Sequence, residues 1–322
     1  MGDMNADMLT GFMHVVSFIG SAGFYLPILV VLFWCVSPRG AARAVVVLAV
    51  SGALNTMLKI VFHDPRPYWT DRSIIGYEPR STFGMPSGHA QGATVAWGFL
   101  GMRARRASVW ALVVVVVALV GVSRVYLGVH SVGQVVAGWL IGVGLLAAAY
   151  ELAPRVVPWW RRQALWVQYG LSLAIALVFF GPTVLAVSDL ADWRMPEAWA
   201  LAIEAAGGTF GPVTMKDGAT VSGILCGTLA GLSWLAHRGW FDAGGALWRR
   251  AVRVPVGMAG VGVIWPAGFL AGDATPTIFV THILLGAWMT AGAPELFVRL
   301  GLASRARPEV SRVDEAAGKG HL

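Results

Sequence analysis

Long blocks of apolar residues, such as 45–58, 109–122 and 170–180, restrict the fold of this chain more than any other sequence feature. A helix needs about 20 mostly apolar residues to cross the hydrocarbon core of a bilayer. Over the whole chain, 57% of the residues are hydrophobic and 13% are charged, whereas a soluble domain carries about 25% charged residues. The sequence therefore predicts an all-α, polytopic membrane protein and excludes a water-soluble globular domain.

Nine segments are predicted to span the membrane. They cover approximately 11–36, 41–62, 86–102, 108–128, 131–152, 164–187, 219–236, 252–271 and 276–298. Glycine and proline residues inside the first segment predict a short interfacial helix before the true span. No basic stretch precedes this segment, so no removable signal peptide is expected.

The spacing of the spans divides the chain into four predicted regions. Residues 1–187 form a six-helix core, and residues 219–300 form an accessory region of about three further transmembrane helices. An extracytoplasmic loop, 188–218, joins the two. The last region, 301–322, is a polar cytoplasmic tail that is expected to be disordered from about residue 303.

The charges of the loops predict the orientation of the chain. Every odd-numbered loop and the C-terminal tail are basic, whereas the sixth loop is rich in acidic residues. By the positive-inside rule, the N-terminus and the even-numbered loops lie outside and the C-terminus lies in the cytoplasm. The net charge of +7 is explained in this way, and nucleic acid is not an expected partner. The compact loops favour a prokaryotic inner membrane.

Three clusters of polar residues lie in or beside the predicted spans, where such residues are costly and usually functional. Residues 59–67 (KIVFHDPRP) end the second span, residues 85–89 (MPSGH) open the third, and residues 123–130 (SRVYLGVH) bridge the fourth and fifth. The predicted topology places all three clusters at the outer face, although they are up to 71 residues apart. We therefore expect them to form one site.

The residue types in these clusters suit the chemistry of a phosphate group. Lys59, Arg66 and Arg124 can neutralise a phosphate dianion and the charge that develops on its oxygens in the transition state. Arginine pairs with phosphate oxygens in a bidentate manner, and free N–H groups at a helix start can bind another oxygen. Of the two histidines, His89 and His130, one can attack phosphorus and the other can protonate the leaving group.

In order, Lys-x6-Arg-Pro, Pro-Ser-Gly-His and Ser-Arg-x5-His resemble the three signature motifs of the type 2 phosphatidic acid phosphatase superfamily, which includes the vanadium haloperoxidases. The resemblance covers about residues 20–187. It implies a phosphohistidine mechanism without metal or cofactor, with His130 as nucleophile and His89 as general acid. The implied phosphate ligands are Lys59, Arg66, Ser87, Gly88 and Arg124, and Pro67, Pro86 and Ser123 belong to the motifs without a clear role.

The chain departs from the family pattern one helical turn after the nucleophile. The resemblance implies an aspartate there, and this chain has Gln134. A glutamine carbonyl can accept the ring N–H of His130 and fix the tautomer, but it cannot stabilise an imidazolium by charge. This change favours a diphosphate substrate, which has a better leaving group. The nearby Asp64 is interpreted as a turn residue more readily than as a replacement carboxylate.

The predicted function is hydrolysis of membrane lipid phosphates or diphosphates, such as polyprenyl diphosphate or phosphatidic acid. Two alternatives stay open: a lipid phosphoryl transferase, and a lipid-binding or transport protein that has lost catalysis. The expected partners are the lipid substrate and membrane lipids, and the formation of a homo-oligomer stays open. A glycine repeat in the seventh span (Gly223, Gly227 and Gly231) predicts a helix contact, either within the chain or in a dimer.

Overall fold

The computed structural model describes residues 2–209 and 211–306, and the chain there is almost entirely helical. Its helices are α1 (Gly2–Ile19), α2 (Ala22–Cys35), α3 (Pro38–Phe62), α4 (Pro67–Thr70), α5 (Gly88–Ala104), α6 (Ala107–Tyr126), α7 (Val132–Arg162), α8 (Leu165–Asp189), α9 (Glu197–Ala205), α10 (Lys216–Arg238), α11 (Leu247–Leu270), α12 (Thr275–Ala287) and α13 (Ala293–Arg299). A π-helical turn, Trp288–Gly292, joins α12 to α13. Two short strands, β1 (Phe241–Asp242) and β2 (Ser304–Arg305), pair in antiparallel fashion.

Within this part of the chain, eight helical segments are long and apolar enough to cross a membrane. They correspond to eight of the nine predicted spans, and the first is divided into α1 and α2. The remaining predicted span, the third (86–102), corresponds to α5, which has 17 residues and is not among the eight. Helix α5 packs among α3, α6 and α7, and its polar residues Gln91 and Thr94 are buried against these helices. The predicted fold class, a six-helix core followed by three further helices, is confirmed.

Close packing between α5 and α7 brings the starts of these two helices together. A Cβ atom on Gly138 would lie 2.6 Å from the carbonyl oxygen of Ser87, and one on Gly142 would lie 2.6 Å from the Cβ of Thr94. Small residues allow such close approach of two helix backbones in a membrane. At the start of both helices, the amide of Ser87 donates to the carbonyl of Gln134 at 2.9 Å.

The glycine face of α10 packs inside the chain. A Cβ atom on Gly227 would lie 2.0 Å from the carbonyl oxygen of Ile283, and one on Gly223 would lie 2.5 Å from that of Phe279. Both carbonyls belong to α12, so this face is occupied by an intramolecular contact rather than being free for a dimer. Helix α10 also packs against α3 and α8, which attaches the accessory helices to the core.

The end of the bundle that carries the basic loops is held by a buried arginine. Arg253 donates to the carbonyl oxygens of Trp34, Ala243, Gly244 and Leu302. These contacts tie the loop before α11 to α2 and to the segment that follows α13.

The expected disorder from about residue 303 is not found in residues 303–306. Ser304 and Arg305 pair with β1, and the Arg305 side chain binds Glu295 and the carbonyl of Gly239. These contacts are made with distant residues, so the composition of the tail does not indicate them. The rest of the predicted tail, 307–322, lies outside the described residues.

Candidate active site

The three polar clusters meet at one end of the helix bundle. Lys59 lies in the last turn of α3, Ser87 caps the start of α5, Arg124 lies in the last turn of α6, and His130 precedes α7. The first and third clusters are in direct contact, because Nη1 of Arg66 lies 3.1 Å from Nε2 of His130. The structure therefore brings into contact residues that are 64 positions apart in the sequence.

His130 lies in the loop between α6 and α7 and is only 3% exposed. Burial, followed by the nearby charges of Arg66 and Lys59, lowers the pKa of His130 well below its usual value. The ring is therefore neutral near pH 7. Because a guanidinium can only donate hydrogen bonds, Nε2 of His130 accepts from Arg66. The proton then lies on Nδ1, which donates to Oε1 of Gln134 at 3.0 Å.

Arg66 is fixed by its neighbours in the chain and by a set of backbone carbonyls. It lies between Pro65 and Pro67 in an extended conformation, with φ −80° and ψ 152°. Its side chain donates to the carbonyl of Thr82 at 2.7 Å and to that of Val129 at 2.9 Å. Arg66 is thus a rigid cation that directs one N–H group at His130.

Arg124 is fully buried, and one of the three nitrogen atoms of its guanidinium donates to protein groups. Its Nη1 atom donates to Ser17 and, at 2.6 Å, to Oε2 of Glu78. Its Nε and Nη2 atoms have no hydrogen-bond partner in the part of the chain that the structure describes. Buried donors are almost always satisfied, and two adjacent arginine N–H groups match the spacing of two phosphate oxygens. This edge of Arg124 is suited to an oxyanion.

Glu78 is a site residue that the sequence analysis did not identify. Its carboxylate accepts from Arg124 at 2.6 Å, from Arg80 at 3.2 Å and from His14 at 3.1 Å. Burial alone would raise the pKa of Glu78, but the charge and hydrogen bond of Arg124 outweigh burial, and the pKa falls to about 2. Glu78 lies outside the three motifs, and its contacts depend on how the loop between α4 and α5 packs on α1 and α6. Motif spacing therefore gave no signal for it.

The remaining predicted phosphate ligands surround the start of α5. Lys59 donates to the carbonyl of Phe83 at 2.6 Å. The Ser87 hydroxyl accepts from the amide of Ala90 at 3.5 Å, which makes Ser87 the N-cap of the helix. Gly88 is the first helical residue, and a Cβ atom there would lie 2.9 Å from Oδ1 of Asn55.

His89 and the three motif residues without a predicted role have simple structural positions. His89 lies in the first turn of α5 and is half-buried. Pro67 is the first residue of α4, and Pro86 precedes the Ser87 cap. The Ser123 hydroxyl donates to the carbonyl of Val120 at 2.7 Å, inside its own helix.

Gln134 has all of its hydrogen-bonding positions filled by protein groups. Its Oε1 atom accepts from His130 and, at 3.2 Å, from the amide of Ser131. Its Nε2 atom donates to Oδ2 of Asp64 at 2.6 Å and to the carbonyl of Pro65 at 2.8 Å. Asp64, which the sequence suggested was a turn residue, is thus in direct contact with the amide that orients His130.

Aromatic side chains from the loop before α10 cover the site end of the bundle. Ring centroids are 5.9 Å apart for Trp69 and Trp199 and for Phe83 and Trp193. Trp193 and Trp199 come from the predicted 188–218 loop, which contains α9. A cavity of about 220 Å³ opens beside Lys59, and part of its wall comes from α10. In residues 2–209 and 211–306, no cluster of three or more His, Cys, Asp or Glu residues could hold a metal ion.

Comparison with known proteins gives two family matches and a set of partial relatives. Residues 40–158 match the PAP2 superfamily, and residues 219–305 match the PAP2 superfamily phosphatase transmembrane extension. Lipid phosphate phosphatase delta of Arabidopsis thaliana is 27% identical over 55% of this chain and 46% of its own length. Phosphatidylglycerophosphatase B of Bacillus subtilis is 28% identical over 42% of this chain and 70% of its own length.

Two further similarities cover less than half of the chain. Sphingosine-1-phosphate phosphatase 2 of Mus musculus is 30% identical over 41% of this chain and 39% of its own length. The crystal structure of a transmembrane PAP2-type phosphatidylglycerolphosphate phosphatase from Bacillus subtilis covers 46% of this chain and 78% of that chain, with 26% identity and a TM-score of 0.40. The chain thus spans less than half the length of its plant and mouse relatives.

All three polar clusters fall inside the first family match, and the second covers α11 to α13 and all of α10 except its first three residues. Residues 40–158 are therefore a PAP2 superfamily domain, and residues 219–305 are the transmembrane extension of PAP2 superfamily phosphatases.

Proposed function

We propose that this chain is a membrane phosphatase that hydrolyses lipid phosphates or diphosphates through a phosphohistidine at His130. The observation that carries the proposal is a buried, neutral His130 in the same site as an edge of Arg124 that has no hydrogen-bond partner among the described residues. A nucleophile with one defined lone pair and a rigid oxyanion site together suit phosphoryl transfer. The match to the PAP2 superfamily supports a phosphatase activity.

In the first step, Nε2 of His130 attacks phosphorus and the bond from phosphorus to the leaving oxygen breaks. His89 donates a proton to that oxygen as the alcohol or phosphate departs. The N–H group of Arg66 that faces His130 moves its hydrogen bond to a phosphate oxygen, because the Nε2 lone pair is now used in the new bond. Arg124 and Lys59 bind the other oxygens and stabilise the charge that develops on them.

In the second step, water attacks the phosphorus of the phosphohistidine. His89, now neutral, accepts a proton from that water, and the bond between nitrogen and phosphorus breaks. Inorganic phosphate leaves and His130 returns to its neutral form. Lys59, Arg66 and Arg124 serve both steps because the same oxygens carry the charge in each transition state.

The position of the site supports a lipid as the substrate. The site lies at the ends of helices α3 and α6, which are candidate membrane spans. A lipid can therefore present its phosphate there while its tail stays in the bilayer. The names of the relatives include lipid phosphate, phosphatidylglycerophosphate and sphingosine-1-phosphate phosphatases. Polyprenyl diphosphate is the first substrate class to test, because its good leaving group suits a nucleophile that lacks a directly bonded carboxylate.

The test is phosphate release by purified protein in detergent. The substrates are polyprenyl diphosphate, phosphatidic acid and a long-chain-base phosphate. We expect wild type and His237→Ala to release phosphate equally, because His237 is exposed at the end of α10. His130→Ala should lower turnover by about 10³-fold or more, as loss of a nucleophile does elsewhere. Undiminished phosphate release by His130→Ala would overturn the proposal. Phosphate recovered on a second lipid instead of in solution would indicate a transferase.

A further inference from the structure

We infer that Asp64 is the positioning carboxylate of this active site and that it acts on His130 through the amide of Gln134. The inference rests on the proposed function, because it concerns how His130 is prepared to attack phosphorus. It also explains how a glutamine can stand where the family pattern implies an aspartate.

The hydrogen bonds of Gln134 leave its amide only one orientation. A glutamine amide has two N–H donors and two acceptor positions. Asp64 and the Pro65 carbonyl take both donors, and His130 and the Ser131 amide take both acceptor positions. Rotating the amide by 180° would direct its N–H groups at two other donors and its oxygen at two acceptors, and all four hydrogen bonds would be lost.

Packing holds the amide as tightly as its hydrogen bonds do. Gln134 is 2% exposed, and its amide lies against the backbone of Gly84. A Cβ atom on Gly84 would lie 2.4 Å from Nε2 of Gln134, so no larger residue fits there without displacing the amide. The amide of Gly84 in turn donates to the backbone carbonyl of Asp64 at 2.8 Å. Asp64, Gly84 and Gln134 therefore form one rigid unit behind the histidine.

This unit supplies two things that the nucleophile needs. The fixed oxygen of Gln134 holds the proton of His130 on Nδ1, which leaves the Nε2 lone pair directed at the substrate. As Nε2 bonds to phosphorus, the ring gains positive charge. The negative charge of Asp64 polarises the amide between them, so the Gln134 oxygen becomes a stronger acceptor for Nδ1–H. Glutamine alone would supply the first effect only.

The first test is Asp64→Asn, which keeps the shape of the side chain and removes its charge. We expect kcat to fall about 10–100-fold, by analogy with the loss of a hydrogen-bond partner behind a metal-bound histidine. KM should stay within about twofold, because Asp64 does not touch the substrate. Asp192→Asn is the matched control, since Asp192 is an exposed aspartate in the loop before α9, and it should behave as wild type.

The second test moves the carboxylate from position 64 to position 134. Gln134→Glu places two carboxylates at a contact that is now a 2.6 Å hydrogen bond. We expect it to lose activity at neutral pH and to recover part of it in acid, where the two groups share a proton. In the double variant Gln134→Glu with Asp64→Asn, the new asparagine N–H donates to the new glutamate, which now faces His130 directly. Activity at neutral pH should rise at least about tenfold over Gln134→Glu alone; the recovery is partial because the Pro65 carbonyl still faces the glutamate.

The decisive result is a change in the sign of the effect that Asp64→Asn has on activity. Asp64→Asn should be harmful beside Gln134 and helpful beside a glutamate at the same position. Equal losses in both backgrounds, or wild-type kcat for Asp64→Asn, would overturn the role of Asp64. A wild-type protein that releases no phosphate would instead overturn the proposed function. Bound orthovanadate should raise the melting temperature of every variant, which checks that each one is folded with an intact phosphate site.

Discussion

At the scale of single residues, Arg124 shows how a buried cation can be both neutralised and available. One side of its guanidinium binds Glu78 and Ser17, and the other side has no protein partner among the described residues. An unpaired buried charge costs several kcal/mol, about 3–5 when one partner of a pair is removed. Glu78 offsets that cost before the substrate arrives, so the site can hold its positive charges close together without a ligand.

Replacing Glu78 with glutamine tests this interpretation. We expect Glu78→Gln to lower the free energy of unfolding by about 3 kcal/mol, because Arg124 loses its counter-charge. Orthovanadate should raise the melting temperature of this variant more than that of wild type, since the anion restores the missing negative charge. Thermal unfolding in detergent measures both effects. Glu204→Gln, at an exposed residue of α9, is the control, and an equal response of Glu78→Gln and wild type to orthovanadate would contradict the account.

The same variant gives a pH dependence with a defined sign. The pKa of Glu78 is lowered from 4.5 to about 2, so its stabilising charge is fully present above pH 4.5 and is lost as the pH falls through 2. The difference in melting temperature between wild type and Glu78→Gln should therefore be constant between pH 5 and 8. A difference that disappears on going from pH 8 to pH 5 would show that another group, not Glu78, titrates.

At the scale of elements, the sequence indicated which helix ends meet but not every contact between them. The three motifs could be grouped because each lies at the end of a predicted span and the spans alternate in direction. The contact of Glu78 with Arg124 could not be predicted, since it depends on how the loop between α4 and α5 folds over the end of α6. The contact of Asp64 with Gln134 depends on the fold of the turn after α3, and an aspartate next to proline is common in ordinary turns.

The glycine face of α10 is another contact that the sequence predicted only in part. Its four-residue spacing predicted a close helix contact, but spacing alone could not distinguish α12 from a second copy of the chain. The structure assigns the contact to α12, where the Ile283 carbonyl fills the space beside Gly227. Neighbouring backbone cannot move aside as a flexible side chain can.

We therefore expect Gly227→Ala to separate α10 from α12 and to cost about 1–3 kcal/mol of stability, as overpacking does in other proteins. Gly262→Ala in α11 is the matched control, because a Cβ atom on Gly262 meets no atom within 4 Å. Thermal unfolding of both variants measures the effect. An undisturbed Gly227→Ala variant would contradict the packing of α10 on α12.

At the scale of the whole molecule, the two ends of the bundle differ in chemistry. One end carries the proposed phosphate site and the acidic 188–218 loop, and the other carries the basic loops that Arg253 and the β1–β2 pair hold together. Hydropathy predicted the long apolar helices, including those of the three-helix extension, since apolar length alone requires them. It could not predict that aromatic residues of the loop fold back over the site, because that packing joins distant parts of the chain.

The orientation in the membrane is proposed from loop charge and can be tested by labelling. Cys35 and Cys226 are buried and can be replaced by alanine to give a background without thiols. In intact bacterial cells, an impermeant maleimide should label Asp192→Cys and leave Arg106→Cys unlabelled until the membrane is opened. The reverse pattern would place the site in the cytoplasm.

The central claim is that His130 carries the phosphoryl group, and trapping that intermediate tests it most directly. In His89→Ala, a diphosphate with radiolabelled terminal phosphate should still phosphorylate His130, because its leaving group needs little protonation. Hydrolysis should then be slow, because no base activates the water. After a quench in base, the account predicts a protein-bound label that is stable in base, labile in acid and absent from the His89→Ala/His130→Ala double variant. Label that persists in the double variant would contradict this claim. So would the absence of label in His89→Ala when the wild-type protein turns over the same substrate.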